Sequence, residues 1–106
     1  MYQATSHIEK VAGGADKAPE FWNGETGWPT ADGTDYGAAK GGLKNAENFY
    51  KTGYCALLDW GFNGFYFEAF DEPWKPASIG DNGKAADETT WGAMTAARKT
   101  KFSLKC

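Results

Sequence analysis

Apolar and polar positions alternate along this chain in two distinct periods. Ala4, Ile8, Val11 and Ala12 recur at i, i+4, i+7 and i+8, which predicts an amphipathic helix over residues 3–12, closed by the Gly13-Gly14 pair. Residues 20–24 form a short apolar run between Pro19 and Gly24 and read as a buried strand. Gly27 and Pro29 then stop either kind of element, so Glu25 falls at the strand's carboxyl end, followed by a Gly/Asp/Thr-rich loop over residues 26–37. From residue 38 to about 60 the period is helical again, through Leu43, Ala46, Tyr50, Tyr54, Leu57 and Leu58. Gly61 ends it, and Gly41-Gly42 shifts its start towards Leu43.

A second strand follows in the aromatic run from Gly64 to Phe70, too short for a helix and apolar on both faces, as strands of a parallel sheet are. Glu68 interrupts it. An ionised carboxylate inside a covered strand is costly unless paired, so Glu68 is expected to face a polar interior on the same side as Tyr66 and Phe70. Asp71, Glu72 and Lys75 gather just beyond, as Glu25 does after the first strand. Residues 76–87 read as a solvated polar loop. Its Asp81-Asn82-Gly83 and Asp87 do not have calcium-loop spacing. The tail, residues 94–102, reads as a short helix. Helix, strand, helix, strand is the alternation of an α/β protein, and carboxylates at strand carboxyl ends are where such folds collect their chemistry.

Composition narrows the function classes. At 106 residues the chain is one domain at most, and its net charge of −3, with no basic run before Arg98-Lys99, argues against nucleic acid or an anionic membrane surface. No apolar stretch approaches the roughly 20 residues that span a bilayer. Residues 1–5 lack a signal peptide's basic and apolar regions. His7, the one histidine, has no metal-ligand partners at suitable spacing and reads as a surface residue; neither metal nor cofactor is indicated. Aromatic residues make up 16% of the chain; most serve a core, but Trp28 and Trp74 each sit beside a proline in a polar turn and are expected to line a binding cleft.

The run Gly24-Glu25-Thr26-Gly27-Trp28-Pro29 resembles the nucleophile signature of glycoside hydrolase family 17, the β-1,3-glucanases and glucanosyltransferases. Asn23 departs from the apolar residue usual there and needs a hydrogen-bond partner if buried. Phe67 through Lys75 resembles a run on the last barrel strand of the fungal cell-wall members, and Glu88-Thr89-Thr90-Trp91-Gly92 resembles a later motif of the family. The resemblance covers essentially the whole chain. It implies an α/β fold, the C-terminal βαβα part of a (β/α)8 TIM barrel, with residues 1–106 a partial hydrolase domain holding the last two strands and their helices. The family barrel typically runs to about 250 residues. It also implies a β-1,3-glucan substrate, Glu25 as catalytic nucleophile, and Glu68, Asp71, Glu72, Lys75, Trp28 and Trp74 around the sugar. A secreted or cell-wall setting follows from the same likeness.

Retaining hydrolysis pairs the nucleophile with a second, protonated carboxyl about 5 to 5.5 Å away. The family takes that acid/base from a glutamate after an asparagine on an earlier strand, and this sequence has no Asn-Glu dipeptide. If the chain acts unaided, the second carboxylates available are Glu72, Glu68 and Asp71, with Glu72 favoured even though Lys75 would lower its pKa, the wrong direction for an acid. Two strands cannot close a barrel, so the expected partners are the missing N-terminal part of the barrel or a second copy, apart from the glucan itself. A non-catalytic glucan-binding or wall-associated remnant is the alternative. Cys55 and Cys106 are either a bridge pinning the tail to the long helix or two free thiols; the secretion implied by the resemblance favours the bridge.

Overall fold

The computed structural model describes residues 1–76, the strand pair at 78–79 and 85–86, and residues 88–106; the expectation for Asp81-Asn82-Gly83 and Asp87 lies outside them. Helix α1 spans Tyr2–Ala12, with Gly13 in the left-handed region at φ 88° and donating its N–H to the Lys10 carbonyl. This is the glycine-terminated ending that the sequence indicates. The expected apolar stripe is not the buried face. Thr5 is buried, its hydroxyl donating to the Tyr2 carbonyl, while Val11 is 76% exposed and Ile8 39%. Among the described residues no further layer covers that side.

Strand β1 is Trp22–Gly27 and β2 is Asn63–Phe67, and they pair in parallel, Trp22 opposite Asn63 and Gly27 opposite Phe67. The strand expected at 20–24 thus begins and ends later. Gly27 lies inside it because a Cβ there would overlap the Phe67 carbonyl oxygen, so only glycine allows the two backbones to approach. Between Asn23 and Thr26 the register slips, and Gly24 and Glu25 together oppose Phe65, as in a β-bulge.

The crossover between the strands is one long helix with a change of pitch. It runs as α2 over Leu43–Phe49, a π-helical turn over Tyr50–Tyr54, and α3 over Cys55–Asp59, ended by Gly61 at φ 84°. The core lies between this helix and the sheet. Tyr50, Ala46, Cys55, Ala93 and Phe102 are its buried members, with Tyr66 packed edge-on against Tyr50 and Tyr54 at 5.0 and 5.4 Å. No large side chain among the described residues is fully buried. The radius of gyration, 16.2 Å, exceeds the roughly 13 Å of a compact domain of this length.

Residues 94–102 are not helical. Met94 bridges to Phe70 in parallel and to Thr100 in antiparallel fashion, with a tight turn closed by Arg98 N–H to the Thr95 carbonyl. Backbone pairing to the segment beyond β2 outcompetes the helix that the spacing predicts. Beyond it, Phe102 packs 5.5 Å from Tyr50, the Tyr50 hydroxyl donates to the Leu104 carbonyl, and Cys106 is disulfide-bonded to Cys55. The bridge, not the pair of free thiols, is what the structure contains. Ser78–Ile79 and Ala85–Ala86 form a small antiparallel pair, β3 and β4.

Candidate active site

The bulge in β1 determines where Glu25 can go. Asn23 and Thr26 register with Gly64 and Tyr66, the β2 positions that face the long helix: Tyr66 packs on its tyrosines, and a Cβ on Gly64 would meet Leu57. Trp22 and Phe65 stack at 5.5 Å on the opposite face, 53% and 60% exposed. Regular alternation from Asn23 would send Glu25 towards the helix. The extra residue reverses the phase, so Glu25, adjacent to Thr26, falls on the open face and is exposed. A bulge is a common device for aiming a functional side chain. Asn23, on the helix side just before the bulge, carries a cost, because its Oδ1 is buried without a partner among the described residues, and its amide donates to the Met1 sulfur at 3.7 Å.

Strand β2 ends at Phe67. Glu68 is therefore past the strand, and the expectation that it shares a strand face with Tyr66 and Phe70 does not hold. It sits instead in a cluster with Lys75 and Glu72. Lys75 Nζ donates to both Glu68 oxygens at 3.0 and 2.9 Å and to Glu72 Oε2 at 2.5 Å, and lies 4.6 Å over the Phe67 ring. Side-chain exposures of 14% for Glu68, 24% for Lys75 and 29% for Glu72 place the cluster half out of water.

The two carboxyls are driven apart. Burial pushes the Glu68 carboxyl up, against the pull of Lys75, and a hydrogen bond to Glu72 pushes it further up. Glu72 is held below its ordinary value, first by its hydrogen bond with Lys75 and then by the one with Glu68. Lys75 is raised, chiefly by Glu72. As pH falls, Glu68 thus takes up its proton before Glu72 does. Glu72, favoured by the sequence as a second carboxyl for a chain acting unaided, is the less acid-like of the pair.

Asp71 belongs to a different network. Its Oδ1 accepts from Lys101 Nζ at 2.5 Å and from the Gly92 N–H at 3.1 Å. Lys101 also donates to Thr30 Oγ1 at 2.6 Å. Sequence reading missed Lys101, since nothing local marks a lysine in the tail as the partner of Asp71. Trp91 packs edge-on to Phe67 at 5.9 Å and lies 3.3 Å from where a Gly27 Cβ would stand, joining the Glu88–Gly92 motif to the strand ends. Glu88 is half-buried in the same segment.

The two tryptophans differ in setting. Trp28 is half-buried against Phe49 at 5.2 Å, its indole N–H donating to the Lys40 carbonyl, and it lines an open groove of about 370 Å³ with Lys40, Asn45 and Asn48. Trp74 is 71% exposed beside Lys75. His7 is exposed, and no group of metal-ligating side chains occurs among the described residues.

A family model described as "Glycosyl hydrolases family 17" matches residues 1–106. The glucan 1,3-beta-glucosidase of Arthroderma benhamiae is 68% identical over 97 residues, covering 87% of this chain and 32% of the relative. That of Saccharomyces cerevisiae is 42% identical over 106 residues, covering all of this chain and 32% of the relative. A solved family 17 beta-1,3-glucanosyltransferase from Rhizomucor miehei is similar in fold, with a TM-score of 0.65 at 24% identity, over 98% of this chain and 36% of that one. An active-site mutant of that enzyme in complex with laminaritriose aligns with a TM-score of 0.66 at 23% identity. The chain spans about a third of the length of these relatives.

Proposed function

Because the chain belongs to glycosyl hydrolase family 17, we propose that it carries the nucleophile side of a retaining site acting on β-1,3-glucan. The observation that supports this best is the placing of Glu25 on the open face of β1 while the Glu68–Lys75–Glu72 cluster stands at the carboxyl end of its neighbour β2. In this reading a Glu25 carboxylate oxygen attacks the anomeric carbon as the glycosidic bond breaks. The leaving oxygen takes a proton from an acid outside these residues. Water or a sugar hydroxyl then resolves the glycosyl-enzyme ester, giving hydrolysis or transfer.

Glu72 and Lys75 are assigned to orient the nucleophile and hydrogen-bond sugar hydroxyls, which suits an ionised acceptor and a charged donor side by side. Trp74 supplies an exposed apolar face for a pyranose ring, and Trp28 backs the loop after the nucleophile. The two described strands are assigned as the last of a (β/α)8 barrel, and the open Trp22–Phe65 face as lumen covered by the remaining strands. The Cys55–Cys106 bridge supports an oxidising, extracellular or wall setting.

Sugar release from a linear β-1,3-glucan oligosaccharide, by the chain and by its Glu25→Gln variant, tests the reading. Turnover by the chain that vanishes in the variant supports Glu25 as nucleophile with its acid supplied by a second carboxyl of this chain or of a second copy, and no turnover leaves Glu25 a nucleophile separated from its acid. Turnover equal in the two removes Glu25 from the reaction. A second reading, a glucan-binding module without turnover, is favoured by the exposure of Trp74 and is what laminaritriose binding unaffected by Glu25→Gln would support.

A further inference from the structure

One ammonium group joins the three segments that carry the site motifs. Lys101 Nζ donates to Asp71 Oδ1, just beyond β2, and to Thr30 Oγ1, in the loop that follows Glu25 and Trp28. The Lys101 and Asp71 side chains are only 12% and 18% exposed. Thr30 in turn donates both its N–H, at 2.8 Å, and its hydroxyl, at 2.6 Å, to the Thr90 carbonyl. Asp71 Oδ1 also accepts the Gly92 N–H. The loop after the nucleophile, the Asp71–Lys75 segment and the Thr90–Gly92 segment therefore share one hydrogen-bonded junction.

Lys101 reaches that junction because its own segment is anchored on both sides. Its N–H donates to the Ala93 carbonyl, Phe102 is buried in the core, and Cys106 is tied to the long helix. A charge-assisted contact of this burial is far less screened than a surface pair, and losing the cation would leave the half-buried Asp71 carboxylate without the counter-charge it has among the described residues.

We propose that Lys101 is a positioning residue of the carboxylate site: it fixes the loop that follows Glu25 relative to the segment that presents Glu72, Trp74 and Lys75. It touches neither the Glu68–Lys75–Glu72 cluster nor Glu25 in the contacts described, so it acts through Thr30 and Asp71. This assigns Asp71 to the inner support of the site instead of to direct sugar contact. The use of the junction in glucan binding rests on the function proposed above.

The test compares the chain with Lys101→Met, Lys101→Arg and Phe102→Leu by amide hydrogen exchange and by titration with laminaritriose. Lys101→Met is expected to speed exchange of the Thr30 and Gly92 amides about tenfold and to weaken laminaritriose binding by a similar factor, with β1–β2 amides unchanged. Lys101→Arg, which keeps charge and donors, restores both. Phe102→Leu loosens the core and the anchor beside Lys101 but keeps the ammonium contacts, and raises the Thr30 and Gly92 rates only in step with the rest of the chain. Exchange at Thr30 and Gly92 that is unchanged in Lys101→Met overturns the proposal. So does faster exchange with undiminished affinity, which would make Lys101 a brace without bearing on the site. If the unaltered chain does not bind laminaritriose, the glucan reading of these residues falls, and the exchange rates still decide for or against the junction.

Discussion

Replacing Cys106 by Ser removes the cross-link between the tail and the long helix while leaving the Cys55 sulfur in the core, where that residue is 9% exposed. The sequence separation of 51 sets the loop that the bridge closes. In the chain-entropy account, −2.1 − 1.5R ln n for n of about 51 comes to roughly −14 cal/mol/K, or about 4 kcal/mol at room temperature. That is a large share of the stability of a small domain. For a chain of this length it corresponds to a fall in Tm of about 15–20 °C. The assay is urea unfolding of the chain and the variant, followed by near-UV circular dichroism of the tyrosine cluster. A midpoint lowered to match the loss is expected, with an m-value equal to or above that of the bridged chain because the denatured variant is more open. A difference below about 1 kcal/mol at unchanged m would refute the reasoning, because it would mean that the tail is held by Phe102 and the Tyr50–Leu104 hydrogen bond without help from the bridge.

Gly27→Ala is expected to abolish the β1–β2 pairing, since the added Cβ overlaps the Phe67 carbonyl oxygen and the conflict lies with backbone. Overpacking of this kind costs about 1–3 kcal/mol even where side chains can give, so a cooperative unfolding transition that survives Gly27→Ala would count against the described register. Glu68→Gln tests the cluster through pH. The folded pKa of Glu68 is raised by burial, so its protonation favours the fold at low pH, and stability is lost as pH rises from the ordinary value of 4.5 through the folded one. Glu72 has the opposite sign, with stability present above 4.5 and lost as pH falls through its lowered value. Urea midpoints from pH 3 to 7 should show the decline on the alkaline side flattened in Glu68→Gln and the acid-side loss retained; a parallel profile would exclude a raised Glu68.

The long helix was legible because Leu43, Ala46, Tyr50, Tyr54 and Leu57 repeat at helical spacing, and the parallel strand partner because Phe65, Tyr66 and Phe67 form an uninterrupted apolar run. Lys75 and Glu72 meet because they are three residues apart, an adjacency that local sequence can express. The limits of β1 were harder to read. Gly24 and Gly27 look like breakers, yet Gly27 is required by the closeness of Phe67 and Gly24 takes part in the bulge, and both reasons lie in the partner strand. The tail resembles a helix in its spacing, but its backbone is claimed by Phe70 and Ala93 from elsewhere in the chain. Lys101 and Asp71, separated by 30 positions, meet only in three dimensions.

The π-helical turn at Tyr50–Tyr54 makes the length of the crossover a counted quantity. A π-turn holds one residue more than an α-turn, so removing one residue from it would restore regular pitch and leave Cys55 and Leu57 close to their present facing towards Cys106 and Gly64. The same deletion within α2 or α3, where each residue turns the helix by about 100°, would swing the side chains before and after it out of register by that angle. Single-residue deletions among natural variants of the long helix should therefore fall within residues 50–54 and avoid α2 and α3.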